Sequence, residues 1–230
     1  VYVNKAALGK AANGLVSAPS FEKDNHELPK AATLLSTSGT SAKISIDEAS
    51  VQIALPAPGL HYAVDAALAF GMAKQILTSD FKPKDAVSAM ADLQPVYGRG
   101  EVIEYRGQSI QIIMMKNLPS LQVNLDALEE SPSKVWISVD EGTPDPSWIY
   151  DIDLSKISHA NVISGTKTFQ WATRLAYEGK PYGKLIENEE EALEYFLSLP
   201  GKHKTAIVNY EQMMWLRKHL GFMDLEGGRG

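Results

Sequence analysis

The fold is decided by residues 101–139, which read EVIEYRGQSIQIIMMKNLPSLQVNLDALEESPSKVWISV. Two short apolar runs at 101–105 and 109–115 predict strands, and residues 119–129 have the spacing of a helix. Residues 134–139 predict a further strand. Strands and helices in this order are typical of a parallel sheet covered by helices, so the segment predicts an α/β fold.

The same alternation continues toward the C-terminus. We predict strands at 160–164, 184–187 and 204–208, and helices at 166–178, 189–198 and 210–219. This pattern predicts a mostly parallel sheet with helices on both faces. Such sheets bind ligands beyond the carboxyl ends of their strands. We therefore expect a site among residues 116–117, 140–151, 164–166 and 209–210.

The N-terminal part of the chain has a different pattern. Residues 1–45 show little periodicity, and the run STSGTS at 36–41 predicts a loop. Strands are predicted near 44–46 and 51–55 with a polar turn between them, followed by helices at 60–77 and 84–93. The break at 94–100 (QPVYGRG) predicts a boundary between a domain at 1–95 and a domain at 96–230.

Composition excludes several classes of function. The formal net charge of −6 gives no electrostatic reason to expect a nucleic-acid partner. The chain has no cysteine, which excludes disulfides, a thiolate nucleophile and a cysteine-based zinc site. The longest apolar stretches are too short to span a bilayer and the sequence opens with no leader-like segment, so we expect a cytoplasmic protein.

Several motifs carry a family resemblance. In chain order they are residues 97–101 (YGRGE), 115–119 (MKNLP), 139–151 (VDEGTPDPSWIYD), 163–167 (ISGTK), 174–179 (RLAYEG) and 209–213 (NYEQM). This run resembles the C-terminal domain of the MurT-like subunits of lipid II isoglutaminyl synthases, a branch of the Mur ligase family. Residues 55–67 (LPAPGLHYAVDAA) are similar to a motif that opens a helix in the Mur central domain, but Tyr62 and Asp65 stand where that motif has asparagines.

The resemblance implies both architecture and activity. Residues 1–95 would be the C-terminal remnant of the central α/β, ATP-binding domain, and residues 96–230 the Rossmann-like C-terminal domain. The whole enzyme would use ATP and Mg²⁺ to phosphorylate the D-glutamate carboxylate of lipid II at the inner face of the membrane. Ammonia that a GatD-like glutaminase subunit releases from glutamine would then give D-isoglutamine. Because the chain has no phosphate-loop motif, we expect it not to turn over ATP alone.

The resemblance also implies site residues. Family members complete the Cys-His pair of the glutaminase with an aspartate, and the matching positions give Asp145 first and Asp151 second. Arg99, Lys116 and Asn117 are candidates for binding nucleotide or substrate; a salt bridge, a plain surface lysine and a helix cap are the respective structural alternatives. Two other functions stay open: a non-amidating Mur-like ligase of the folate-polyglutamate or cyanophycin type, and a purely structural docking module.

Overall fold

The structure is a computed structural model that describes residues 2–3, 32–46, 49–95, 97–140 and 147–222. The chain divides into two compact units, Val1–Pro95 and Val96–Gly230. Among the described residues, no helix is long and apolar enough to cross a membrane.

The first unit packs helices on a small sheet. Its strands are β1 (Tyr2–Val3), β2 (Thr33–Ser38), β3 (Ser41–Ile46) and β4 (Ala49–Ala54), in the order β1-β2-β3-β4 within the described residues. Its α-helices are α1 (Leu60–Leu77) and α2 (Pro83–Ala91). The core contains Leu34, Ile44 and Ile53 from the sheet and Ala63 and Phe70 from α1. The helix predicted at 60–77 is confirmed.

Gly59 starts α1 in a conformation that other residues avoid. Its φ is +139°, and a Cβ atom at this position would lie 2.6 Å from the His61 ring. A glycine is therefore required where the LPAPG segment turns into the helix. Helix α2 was predicted at 84–93 and begins one residue earlier, at Pro83, whose missing N–H needs no helical partner in the first turn.

The predicted loop at 36–41 is wrong. Residues 36–38 end β2, Ser41 begins β3, and only Gly39 and Thr40 form the turn of an antiparallel hairpin. Strand pairing satisfies the backbone of this polar run, and the Thr37 hydroxyl donates to the Ser41 carbonyl at 3.2 Å. The small β-branched and hydroxyl side chains suit the half-exposed face of a strand.

The second unit is built on a larger sheet. Its strands are β5 (Arg99–Tyr105), β6 (Gln108–Met114), β7 (Val135–Ser138), β8 (Ala160–Ser164), β9 (Tyr182–Leu185) and β10 (His203–Val208). Its helices are α3 (Leu118–Asp126), α4 (Thr168–Tyr177), α5 (Glu189–Ser198) and α6 (Tyr210–His219). Within the described residues the sheet order is β5-β6-β10-β7-β8-β9, and only β5 is antiparallel to its neighbour.

Helices cover both faces of this sheet. Ile113 and Leu121 belong to the core beneath α3 and α4, whereas Ile112 and Phe196 belong to the core beneath α5 and α6. The inner strands are largely buried on both sides, which explains why the sequence shows apolar runs there. The prediction of a mostly parallel α/β sheet is confirmed, although β9 begins two residues earlier than predicted and α3 ends three residues sooner.

Strand order creates a crevice at one edge of the sheet. The segment after β7 packs on the face covered by α3 and α4, through Ile149 and Ile152. The helix after β10, the neighbour of β7, packs on the opposite face through Met213 and Leu216. Neighbouring strands whose connections leave to opposite faces open the crevice where such sheets bind ligands.

Candidate functional site

The carboxyl ends of the parallel strands are followed by polar or glycine residues. After β6, β7, β8 and β10 the first of these are Lys116, Asp140, Gly165 and Asn209. The antiparallel β5 begins at the same edge, because Arg99 is in register with Ile113 near the end of β6. Most of the segments that the sequence singles out therefore start at the edge where ligands bind in this fold class.

Asn209 joins two strand ends at this edge. Its side chain is buried, its Nδ2 donates to the Asp140 carbonyl at 3.2 Å, and its Oδ1 accepts from the Asp140 N–H at 3.3 Å. The same Oδ1 accepts from the Gln212 N–H at 3.3 Å and so caps α6. The Asn209 side-chain amide thus fixes the residue that follows β7 relative to the start of α6.

Gln212 hydrogen-bonds to carboxylates beside the Asn209 contacts. Its buried Nε2 donates to Glu189 at 2.7 Å and to the Asp140 carboxylate at 3.4 Å, while Glu211 accepts from the Asn209 Nδ2 at 2.8 Å. The Gln212 Oε1 is buried and has no partner in the part of the chain that the structure describes. In the same described part, no group of three or more acidic or histidine side chains could hold a metal ion. The network joins the residues after β7 and β10 to the start of α5.

The turn after β8 packs tightly against the end of β7. Gly165 has φ +83°, and a Cβ atom there would lie 2.3 Å from the Val139 carbonyl oxygen. The Lys167 N–H donates to that carbonyl at 3.1 Å, and the Thr168 hydroxyl donates to the Gly165 carbonyl at 2.5 Å. The glycine of the ISGTK motif is thus needed for a close approach between backbones.

Arg174 fixes the segment that contains Asp151. This buried side chain on α4 donates from Nε to the Ile149 carbonyl at 2.8 Å and from Nη2 to the Ile152 carbonyl at 2.7 Å. Its Nη1 pairs with Glu178 at 2.5 Å. We call these three contacts the Arg174 clamp. Asp151 itself is exposed, directly after a short 3₁₀ turn at Ser147–Tyr150.

A buried ion pair explains the YGRGE motif. Glu101 pairs with Arg217 of α6 and accepts from the Gly98 N–H at 3.0 Å. The Arg217 guanidinium also lies 4.1 Å from the centre of the Tyr97 ring. Removing one partner of a buried ion pair strongly destabilises the folded protein, because the other charge stays buried without compensation. The motif therefore ties the start of β5 to α6.

The five predicted site residues have different surroundings. Arg99 and Lys116 are exposed near the same edge of the sheet, where both cations are accessible. Asn117 caps α3: its Oδ1 accepts from the Ser120 N–H at 3.0 Å, and the Ser120 hydroxyl accepts from the Asn117 N–H at 3.0 Å. Asp145 lies outside the described residues, so only Asp151 of the two candidate acids has described surroundings.

Sequence reasoning did not find the residues that hold the edge together. Gln212, Arg174 and Arg217 bond to groups more than twenty residues away in the chain. Each carries a polar or cationic group on the buried side of a helix. Arg174 and Gln212 lie in the motifs at 174–179 and 209–213, but the sequence assigned them no role. The signal that all three share is a polar side chain at a position where helical spacing calls for an apolar one.

Comparison with known proteins gives one family match. Residues 114–213 match the sequence model of the family described as MurT ligase C-terminal. The match lies within the second unit and begins after the YGRGE motif. No curated protein is similar to the chain in sequence.

Solved structures of similar fold are longer ligases. The UDP-N-acetylmuramate-alanine ligase MurC from Thermotoga maritima has a TM-score of 0.63 and 14% identity, covering 83% of this chain and 45% of its own. MurF from Acinetobacter baumannii has a TM-score of 0.62 and 18% identity, and its alignment covers 84% of this chain and 45% of the MurF chain. Mycobacterium tuberculosis folylpolyglutamate synthase, solved with ADP and AMPPCP, has a TM-score of 0.58 and 14% identity. Its alignment covers 83% of this chain and 48% of the synthase chain. The chain spans about half the length of these structures, shares the Mur ligase fold, and over residues 114–213 matches the C-terminal domain of MurT ligases.

Proposed function

We propose that this chain is part of an ATP-dependent ligase that amidates the D-glutamate α-carboxylate of lipid II, using ammonia derived from glutamine. The match of residues 114–213 to the MurT ligase C-terminal family carries the proposal, and the fold shared with MurC and MurF supports it. The enzyme would act in the cytoplasm, at the inner face of the membrane. Its product would be the D-isoglutamine form of the peptidoglycan precursor.

ATP and Mg²⁺ belong to the whole enzyme in this proposal. The 230 residues contain no glycine-rich phosphate loop, so the residues present do not form a complete nucleotide site. We take residues 1–95 to be the end of the ATP-binding domain, and the part that holds the phosphates to lie outside this sequence. Carboxylate activation is therefore assigned to the whole ligase.

The second unit would dock a GatD-like glutaminase and supply an acid to it. This chain has no cysteine, so the nucleophile that releases ammonia from glutamine must belong to the partner. A carboxylate that accepts the N–H of the partner's histidine fixes its tautomer and stabilises the imidazolium that forms when the thiol loses its proton. Asp145 is our first choice for this acid and Asp151 the second.

Two anchors flank the segment that carries these acids. On one side Asn209 holds the backbone of Asp140, and on the other side the Arg174 clamp holds the carbonyls of Ile149 and Ile152. A catalytic acid supplied to another subunit needs a fixed position, because small displacements of such groups reduce rates strongly. The anchors support a positioning role for this segment.

The cations at the edge suit an anionic ligand. Arg99 and Lys116 are both exposed near the carboxyl ends of the strands, and guanidinium and ammonium groups bind carboxylate or phosphate well. Asn117 serves as a helix cap through its Oδ1, and its amide nitrogen would be the group that contacts a ligand. Substrate or nucleotide phosphates are the anions that the proposed reaction provides.

The test separates the two sources of nitrogen. In the complete ligase with its glutaminase, Asp145→Asn should lose nearly all glutamine-dependent amidation and keep ammonia-dependent amidation, because only the former needs the partner's histidine. Asp153→Asn is a matched control in the same segment, since asparagine can still accept from the Ser155 N–H as Asp153 does at 2.8 Å. Equal loss with both nitrogen sources would exclude Asp145 from the triad, and Asp151→Asn would then be examined in the same way.

A folate-polyglutamate type of ligase is the alternative enzyme, because folylpolyglutamate synthase shares the fold with a TM-score of 0.58. Such an enzyme would join glutamate to its substrate and would not respond to a glutaminase. Incubation of the complete ligase with ATP and either ammonia or glutamate separates the two reactions. Binding of the glutaminase without any ligation product would favour a purely structural docking module.

A further inference from the structure

Helix α4 of the second unit carries exposed aromatic side chains along its outer face. Its inner face packs on the sheet through buried Trp171 and Leu175. On the outer face Phe169 is 63% and Tyr177 81% exposed, and the exposed Thr173 lies between them. Residues four apart lie on the same side of a helix, so these three side chains form one row about 12 Å long. We call it the outer row of α4.

The edge strand β9 lies beside this helix and extends the surface. All four of its residues are exposed, and Leu185 is 37% exposed. The Leu185 side chain lies on the face of the sheet that α4 covers, because the next residue, Ile186, packs in the core on the opposite face. The side of the unit formed by α4 and β9 therefore presents aromatic and aliphatic groups to the outside.

This side also carries positive charge, although the formal net charge of the chain is −6. Residues 165–186 contain four Lys or Arg residues and one acid, Glu178, which pairs with Arg174. Lys180 donates to a backbone carbonyl at 2.7 Å, and the Lys184 ammonium lies 4.1 Å from the centre of a tyrosine ring. Within the described part of the chain neither of these two lysines forms an ion pair, so both can attract an outside anion.

We propose that this surface, made of Phe169, Tyr177, Lys180, Lys184 and Leu185, binds the anionic headgroup region of a lipid bilayer. We call it the α4–β9 surface. Aromatic and leucine side chains bind at the boundary between headgroups and acyl chains, where the outer row would insert. The inner leaflet is negatively charged and attracts lysines. The inference rests on the proposed function, which places the substrate lipid II in this membrane.

Two other occupants fit the α4–β9 surface less well. A strand of another protein that paired with β9 would meet Pro181, directly before the strand, and Lys184 within it. Proline and lysine are residues that protect edge strands from such pairing. Nucleic acid would stack on the aromatic rings, but it offers no apolar interior for Leu185. A bilayer accommodates the aromatic, aliphatic and cationic groups together.

Binding to vesicles tests the proposal. Sedimentation of the 230-residue chain is compared for vesicles of phosphatidylcholine alone and of phosphatidylcholine mixed with phosphatidylglycerol. We expect binding to the anionic vesicles, and Phe169→Ser combined with Tyr177→Ser should weaken it by about ten-fold or more because the apolar contact is removed. Lys184→Gln should weaken it by about five-fold. Met72→Ser is the matched control, since it removes a side chain of the first unit that is 59% exposed, and should bind as the wild type does. No binding of the wild type, or equal binding by the double variant, would overturn the proposal.

Folding and protein partners are measured on the same double variant. Because Phe169 and Tyr177 are mostly exposed, the two replacements should lower the Tm by no more than about 2 °C. A larger loss of Tm would place the outer row in the core and contradict the proposal. Weaker association of the double variant with the glutaminase would assign the surface to that subunit, and wild-type binding to single-stranded RNA in place of vesicles would assign it to nucleic acid. Either result would contradict the proposal.

Amidation distinguishes failure of this inference from failure of the proposed function. In the complete ligase with its glutaminase, the double variant should amidate lipid II in detergent at the wild-type rate and lose activity on lipid II embedded in the anionic vesicles. A wild-type ligase that amidates lipid II but does not bind vesicles refutes this inference alone. A ligase that binds vesicles through the α4–β9 surface and amidates nothing refutes the proposed function.

Discussion

Replacing Arg174 by methionine should destabilise the second unit strongly. Methionine keeps much of the apolar volume of the side chain but removes the hydrogen bonds to the Ile149 and Ile152 carbonyls and the pairing with Glu178. A hydrogen bond from a charged donor contributes about 1.5–3 kcal/mol. The Glu178 side chain is 40% exposed, and partly exposed pairs contribute about 1 kcal/mol or less. We therefore expect a total loss of about 3–5 kcal/mol, mostly from the two carbonyls.

Urea unfolding followed by tryptophan fluorescence measures this loss. All four tryptophans lie beyond residue 96, so the signal reports on the second unit and not on the first. Glu178→Gln is the matched control, because it removes the partly exposed ion pair and leaves both carbonyl contacts; it should cost less than about 1 kcal/mol. A loss below about 1 kcal/mol for Arg174→Met, or an equal loss for the two variants, would show that the clamp does not hold the segment.

The clamp also has a functional readout. In the complete ligase with its glutaminase, a folded Arg174 variant should lose more glutamine-dependent than ammonia-dependent amidation, because the segment after β7 carries both candidate acids. Arg174→Lys is the variant for this assay, since it keeps the charge but cannot donate to two carbonyls in the fork geometry of arginine. Equal loss with both nitrogen sources would separate the clamp from the partner site.

Three further predictions concern the stability of the second unit. Glu101→Gln should cost about 3 kcal/mol or more because it leaves Arg217 buried and charged, and combining it with Arg217→Met should recover part of that loss in a double-mutant cycle of urea unfolding; additive losses would show that the pair is not coupled. Gly165→Ala should cost at least about 2 kcal/mol, because its backbone is left-handed and its Cβ would meet the Val139 carbonyl; a change below about 0.5 kcal/mol would contradict this. Burial lowers the pKa of Lys204 below the ordinary lysine value, so the unfolded chain binds more protons between the two pKa values and stability should rise with pH there. As the pH rises toward the ordinary lysine pKa, the wild type should gain stability relative to Lys204→Met, and a constant difference would refute the assignment.

Periodicity predicted the elements that bury one or both faces. The helices at 60–77, 189–198 and 210–219 have the bounds that the sequence predicts, because apolar residues recur at helical spacing in each. The hairpin strand β2 was missed because only Leu34 of its six residues is buried and residues 36–38 form a polar run. The bounds of β9 were wrong because every residue of this edge strand is exposed and shows no alternation.

The candidate site was predictable in position more than in detail. The edge of the sheet follows from strand order, and Asn117 as a helix cap follows from its place before Leu118 and Pro119. The Arg174 clamp, by contrast, depends on carbonyl groups, which every residue has, so nothing in the sequence marks which ones are bound. Contacts between a side chain and a distant backbone arise from the fold and leave little local pattern.

The position of β10 has a consequence for how the protein is made. This strand lies between β6 and β7 in the sheet, yet it is the last of the sheet's strands to leave the ribosome. Until residues 203–208 are synthesised, β6 and β7 lack the neighbour with which both form their parallel ladders. The first unit can fold during translation, whereas the larger sheet can close only after residues 203–208 have emerged, with unpaired strand edges exposed in the meantime. Pausing or premature termination shortly before residue 203 would therefore leave a chain that is prone to aggregation, and its first unit would already be folded.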